Sequence, residues 1–199
     1  LRDAATTINP ETGQPLVSTY NMGLSRKLSS QEVIPNWDAG FPNAFGFIKS
    51  IEADDEDAEE IELSYWYEPV HVVGYWIEEE IFFDKRRSKL DFRYVSITPR
   101  VEHPAQNYQP RDLPTFYFPE IRELLANHKV FPLNGNLAQR MSFDEFFHRK
   151  MFASVIKKET NMYDRLIEHY LPGRSLEQLL ESERIREQIR RYESDMWNY

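Results

Sequence analysis

Two glutamate–histidine pairs three residues apart, Glu68 with His71 and Glu145 with His148, come nearest to a metal site in residue type and spacing. On helices, residues i and i+3 share a face, and such pairs from facing helices hold two metals inside a bundle. The first pair brackets Pro69 and runs into a β pattern, where i and i+3 point to opposite faces, so it drops out. Glu145 has a second explanation: with Ser142 it has the spacing of a capping box, and Asp144 adds the negative charge favoured at a helix start. A metal-dependent enzyme built on Glu145 and His148 stands as the alternative. Residues 52–62 hold eight acids but lack the alternating acids, central glycine and terminal glutamate of a calcium loop, so a solvated acidic loop is expected. There is no Gly-x-Ser-x-Gly, no P-loop and no Gly-x-Gly-x-x-Gly, and only 7 glycines are available to build a phosphate cradle from backbone. The absence of cysteine removes disulfides, zinc thiolates and thiol nucleophiles. The expectation is a protein without enzymatic activity, catalytic residues, metal or cofactor.

A third cluster, residues 77–93, gathers three glutamates, two aspartates and five basic residues among aromatic and branched apolar ones. If Asp84 pairs with Lys89, the tip is Lys85, Arg86, Arg87 and Ser88. Phe83 then sits opposite Leu90 and Ile81 opposite Phe92 on one face, and Glu80 opposite Arg93 on the other. One register thus explains both the apolar and the charged residues. The spacing predicts a hairpin with a charged tip, and a functional basic tip is the remaining possibility.

These residues need elements to position them. At 199 residues the chain can bury a substantial core, and 14% aromatic content supplies large side chains for it. No apolar run approaches the roughly 18 to 20 residues of a spanning helix. The net charge of −9 is opposite to that of a typical duplex-binding domain, which disfavours nucleic acid as a partner. Residues 1–60 read as irregular and acidic, with turn clusters at 8–15 and 36–47 and a capping-box spacing at Ser29 and Glu32 that Pro35 cuts short. Residues 61–118 are β-rich. Residues 119–199 are helical: a helix at 119–127 led by Pro119, and one at 142–158 with Phe143, Phe146, Phe147, Met151 and Val155 on one stripe. A short piece follows at 163–170, then a long helix at 175–197 with Ser175 and Gln178 as a capping box. The fold class expected is α+β in a single domain: an antiparallel β unit around the hairpin, then a mainly helical half.

The last helix carries two apolar stripes. At about 100° per residue, Leu176, Leu179 and Leu180 fall on one side, and Ile185, Ile189, Tyr192 and Met196 roughly opposite. Either the helix bends onto one core, or its second stripe meets a partner or a neighbouring subunit. Ile185, Ile189, Tyr192, Met196 and Trp197, with the tip residues Lys85, Arg86 and Arg87, are the candidate contact residues.

Several segments carry a resemblance. Phe82-Phe83-Asp84-Lys85-x-Arg87-Ser88 followed by Asp91-x-Arg93 resembles the gliding-motility and secretion proteins GldN and PorN, as does the run from Tyr117 to Glu120. The match continues through Arg149-x-Met151-Phe152-x-Ser154-x-Ile156 and Lys158-Glu159-x-Asn161-x-Tyr163-Asp164-Arg165. It ends with Glu183-Arg184-Ile185, Ile189 and Glu193-x-Asp195-x-Trp197. Together these span residues 75–199, while the first 70 match loosely; family members usually carry a further N-terminal region and a signal peptide. The resemblance implies a periplasmic, non-catalytic component of the type IX secretion system of Bacteroidetes. It implies many copies assembled with a GldK- or PorK-type lipoprotein into a ring under the outer membrane, facing a GldM- or PorM-type motor protein. A stand-alone carbohydrate or peptide binder that uses exposed tyrosine and tryptophan is a second alternative.

Overall fold

The structure, a computed structural model, describes residues 1–12, 14–33, 44–51, 61–131 and 140–196. Most of the acidic run, Pro35 and Trp197 lie outside the described residues. Antiparallel sheets dominate the first part of the chain and helices gather toward the C-terminal end, so the chain is α+β. Contacts group it into two compact units, Leu1–Glu80 with Arg93–Asn127, and Ile81–Phe92 with His128–Tyr199. This grouping differs from division by composition: the outer part of the hairpin joins the second unit, and the first helix after the β region stays with the first.

The first unit opens with α1 (Arg2–Thr6), β1 (Thr19–Tyr20) and α2 (Ser30–Val33). Glu32 accepts from both the backbone N–H and the hydroxyl of Ser29, and from Arg26 at 2.8 Å, which anchors the start of α2. β2 (Gly46–Ile51) and β3 (Ile61–Trp66) form their own antiparallel pair, Gly46 opposite Trp66. The main sheet is built on β4 (Val72–Asp84) and β5 (Lys89–Val101), with β6 (Arg111–Asp112) and β7 (Thr115–Tyr117) beyond β5, in the order β1-β7-β5-β4. β5 is central, so both of its faces are covered near its end: Ile97, Thr98 and Val101 are all buried. β4 is the end strand and buries no residue fully, which suits its three consecutive glutamates, Glu78 to Glu80.

The core of this unit is aromatic and β-branched because such side chains fill a pleated surface. Phe116 is fully buried in register with Ile97, with the Phe45 ring 6.3 Å away. Two buried hydroxyls, Thr98 and Thr115, satisfy each other at 2.6 Å. α3 (Phe118–Asn127) begins with Pro119 in its first turn and buries Ile121 and Leu125, four residues apart on one face. Burying a side chain such as Ile121 completely contributes about 1.5–3 kcal/mol.

In the second unit the outer hairpin has the expected limits. β4 ends at Asp84 and β5 starts at Lys89, with a turn between. β8 (Lys129–Val130) pairs with β9 (Met141–Ser142), which leads into α4 (Phe143–His148). α5 (Ile167–Tyr170) and α6 (Ser175–Met196) follow.

The structure corrects three helical expectations. The helix predicted over 142–158 stops at His148: Arg149 caps it, and Lys150 takes a left-handed φ of 49°. Residues 151–166 are not helical. Phe152 instead folds back on Phe146 and Phe147, 6.1 and 5.6 Å between ring centroids. The Ile156 N–H leaves the helical ladder for the Ser182 hydroxyl, which accepts it at 2.9 Å. A long-range bond has displaced a local one. Second, the short helix starts only at Ile167, because residues 161–165 are held in a turn. Third, Gln178 donates to the Leu171 carbonyl at 2.8 Å, and the first backbone bond of α6 runs to Arg174, so Ser175 and Gln178 do not act as a capping box.

Candidate interaction surfaces

The hairpin tip is built by Asp84. One of its carboxylate oxygens accepts the backbone N–H groups of Arg86 (2.9 Å) and Arg87 (3.4 Å), which folds the turn, and Ser88 completes it with a φ of 48°. The Arg87 guanidinium reaches back to Asp84 at 3.4 Å and Asp91 at 3.9 Å. The tip is therefore partly self-neutralised, and Lys85 and Arg86 are its outward charges; all three basic side chains are exposed. Lower on the hairpin, Arg93 meets Glu80 at 2.5 Å, as the register required.

On α6 the structure decides between the two stripes. The inner face runs through Gln178, Ser182, Ile185 and Ile189, and Ser182 and Ile185 are buried to 0% and 2%. The strap at 151–166 covers this face, through the Ile156–Ser182 bond and a contact from Arg186 to the Ser154 carbonyl at 3.2 Å. Ile185 is therefore engaged by the unit's own packing and presents no surface. Ile189 and Met196 are half-buried, and Tyr192 is exposed. The unexpected surface is the opposite one: Leu176, Leu179 and Leu180 are 70%, 47% and 61% exposed.

The helix persists despite that exposure because its flank is laced by ion pairs one turn apart. These are Arg184 with Glu181, Arg186 with Glu183, and Arg190 and Arg191 with Glu187. Opposite charges one turn apart support a helix, with the acid N-terminal to the base as here. Hydrogen bonding from Arg184 holds the Glu181 carboxyl below its usual range.

The residues with metal-ligand spacing do other work. Ser142 accepts the Glu145 N–H at 3.1 Å, and the Glu145 carboxylate pairs with Arg149 at 2.5 Å. The His148 ring lies against Phe92. Glu68 and His71 lock the 3₁₀ turn Pro69–His71, where His71 Nδ1 accepts the Glu68 N–H at 3.0 Å. Among the described residues no group of three or more potential ligands is close enough to hold a metal ion.

One cluster carried no sequence signal. His103 is buried among Phe47, Tyr65 and Tyr67, and its ring centroid is 4.2 Å from that of His71. Burial, and secondarily the neighbouring His71, hold its pKa below the ordinary histidine value. Its Nδ1 accepts the Ala105 N–H, so this too is a capping histidine, at the 3₁₀ turn Pro104–Gln106. Two open surface depressions, of about 190 Å³ around Tyr20 and Leu113 and about 340 Å³ around Thr19 and Lys27, contain no histidine.

The surfaces thus offer contacts: a basic tip, an exposed leucine patch and an irregular strap. Among the described residues no helix is long and apolar enough to cross a membrane. A search of curated proteins found no match. The family model described as gliding motility associated protein GldN matches residues 16–198, nearly the whole chain. The chain belongs to the GldN family of gliding motility associated proteins.

Proposed function

We propose that this chain is a structural, non-catalytic subunit of the periplasmic ring of the type IX secretion and gliding machinery. In this reading it binds a GldK- or PorK-type lipoprotein, which holds it at the outer membrane, and faces the periplasmic end of a GldM- or PorM-type motor protein. The observation that carries the reading is the family match across residues 16–198. The surface chemistry supports it: apolar and basic side chains are exposed on separate elements of the second unit, as a subunit with more than one protein neighbour requires. We assign partner contacts to Lys85, Arg86 and Arg87 of the tip. On α6 we assign them to the exposed leucines and to the terminal part of the second stripe, Ile189, Tyr192, Met196 and Trp197.

Cells depleted of this protein should retain type IX cargo in the periplasm and lose gliding, and both should return when the protein is resupplied. Normal cargo export in depleted cells would refute the proposal.

A further inference from the structure

Residues 157–167 form a closed surface loop on the second unit. The Ile167 N–H donates to the Lys157 carbonyl at 2.9 Å, so the two ends meet. Asn161 organises everything between them. Its Oδ1 accepts the N–H groups of Tyr163 (3.1 Å) and Arg165 (3.0 Å), and its Nδ2 donates to the carbonyls of Glu159 and Arg165, each at 2.9 Å. The Asp164 N–H adds a bond to the Asn161 carbonyl at 3.1 Å, and Asp164 itself is left-handed with a φ of 51°. Lys158 closes the loop on Asp164 by an ion pair, and Glu159 faces Arg184 of α6 at 4.0 Å.

All of this fixing holds two apolar side chains outward. Met162 is 91% exposed and Tyr163 69% exposed at the crest. The Arg165 guanidinium lies 4.7 Å from the Tyr163 ring centroid, which steadies the ring and sets a cation beside it. Lys158, Glu159 and Asp164 have opposite charges as neighbours, and no carboxylate among the described residues lies within 4 Å of Arg165. On a chain of net charge −9, an arginine at an apolar crest with no ion-pair partner among the described residues is the opposite of the general surface.

A loop ordered before binding loses little conformational freedom when it docks. Tyrosine and arginine are the side chains that most often anchor interfaces, and methionine adapts to an irregular pocket. We propose that Met162 and Tyr163, held out by the Asn161 turn and flanked by Arg165, form a preformed plug for an apolar pocket with a carboxylate at its rim, on a protein partner. The proposal rests on the reading of this chain as an assembly subunit and gives that reading a specific contact. A protein pocket is favoured over a lipid surface by charge. Two cations, Lys157 and Arg165, give too little attraction to an anionic bilayer to overcome the repulsion of a strongly acidic chain.

The test uses the full chain and measures binding to the soluble part of a GldK- or PorK-type lipoprotein and to the periplasmic part of a GldM- or PorM-type protein. For one of them, the double variant M162A/Y163A should weaken binding at least tenfold and R165E at least as much. Asn161→Ala should also weaken it, although Asn161 touches no partner. The melting temperature of M162A/Y163A should stay unchanged, because both side chains are exposed. If the wild type binds and these variants bind equally well, the plug is wrong while the assembly role stands. If the wild type binds neither protein, both readings fall. Sedimentation with phosphatidylglycerol vesicles that depends on Met162 and Tyr163 would overturn the protein pocket in favour of a membrane contact.

Discussion

A serine should matter more than a leucine on α6. The Ser182 hydroxyl lies at 0% exposure and is the acceptor for the Ile156 N–H, the bond that holds the strap against the helix. Ser182→Ala leaves that part-buried N–H without its partner, at a cost of about 1–3 kcal/mol. Alanine is the better helix former, by about 0.5 kcal/mol, so the net loss is about 0.5–2.5 kcal/mol. For a domain of this size each kcal/mol lowers the melting temperature by about 2–4 °C, which gives a fall of about 1–10 °C. Leu179→Ala removes a far larger side chain, but one already 47% exposed, and should stay within about 0.5 kcal/mol of wild type. Thermal melts of the two variants side by side, with hydrogen exchange read at Ile156, check the comparison. The reasoning fails if Ser182→Ala melts with wild type and Ile156 exchange is unchanged, or if Leu179→Ala is the more damaging of the two.

Two further outcomes follow from side-chain environments. His103 has a lowered pKa in the fold, from burial first and then His71, so the unfolded chain binds its proton more readily. Its contribution to stability is complete above pH 6.5 and declines as pH falls below 6.5 toward the folded value; protonation also costs Nδ1 its bond from Ala105. Urea titrations between pH 7.5 and 5 should show that decline and a shallower one in His103→Gln, whereas equal slopes would remove His103 as the cause. Chelator treatment should leave the melting temperature unchanged, because Glu145 is paired with Arg149 and not poised for a cation; loss of a stoichiometric metal by elemental analysis would restore the metal reading.

The hairpin was legible because two independent patterns, apolar and charged, demand the same register. The structure has the strand limits at Asp84 and Lys89 and the Glu80–Arg93 pair that this register requires. The extent of α6 was legible for a similar reason, a long run of strong helix formers with charges one turn apart. The break after His148 was not. Phe143, Phe146, Phe147, Met151 and Val155 fit a helical stripe, but the chain turns at Arg149 and the left-handed Lys150, and the segment beyond is held by a bond to Ser182 far along the chain. Periodicity also showed two stripes on α6 without showing which one faces inward, since a buried serine reads as a polar position. The Asn161 turn was visible only as part of a resemblance, because its bonds are made by one side chain to backbone groups that no pattern of residue types reveals.

The central claim is that this chain works by assembling with other proteins. The most direct test is its mass in solution by light scattering after chromatography, alone and mixed with the soluble part of a GldK- or PorK-type lipoprotein. The account predicts a shift to a defined stoichiometric complex or a much larger ring-like species in the mixture. Two components that elute unchanged at their separate masses would contradict it.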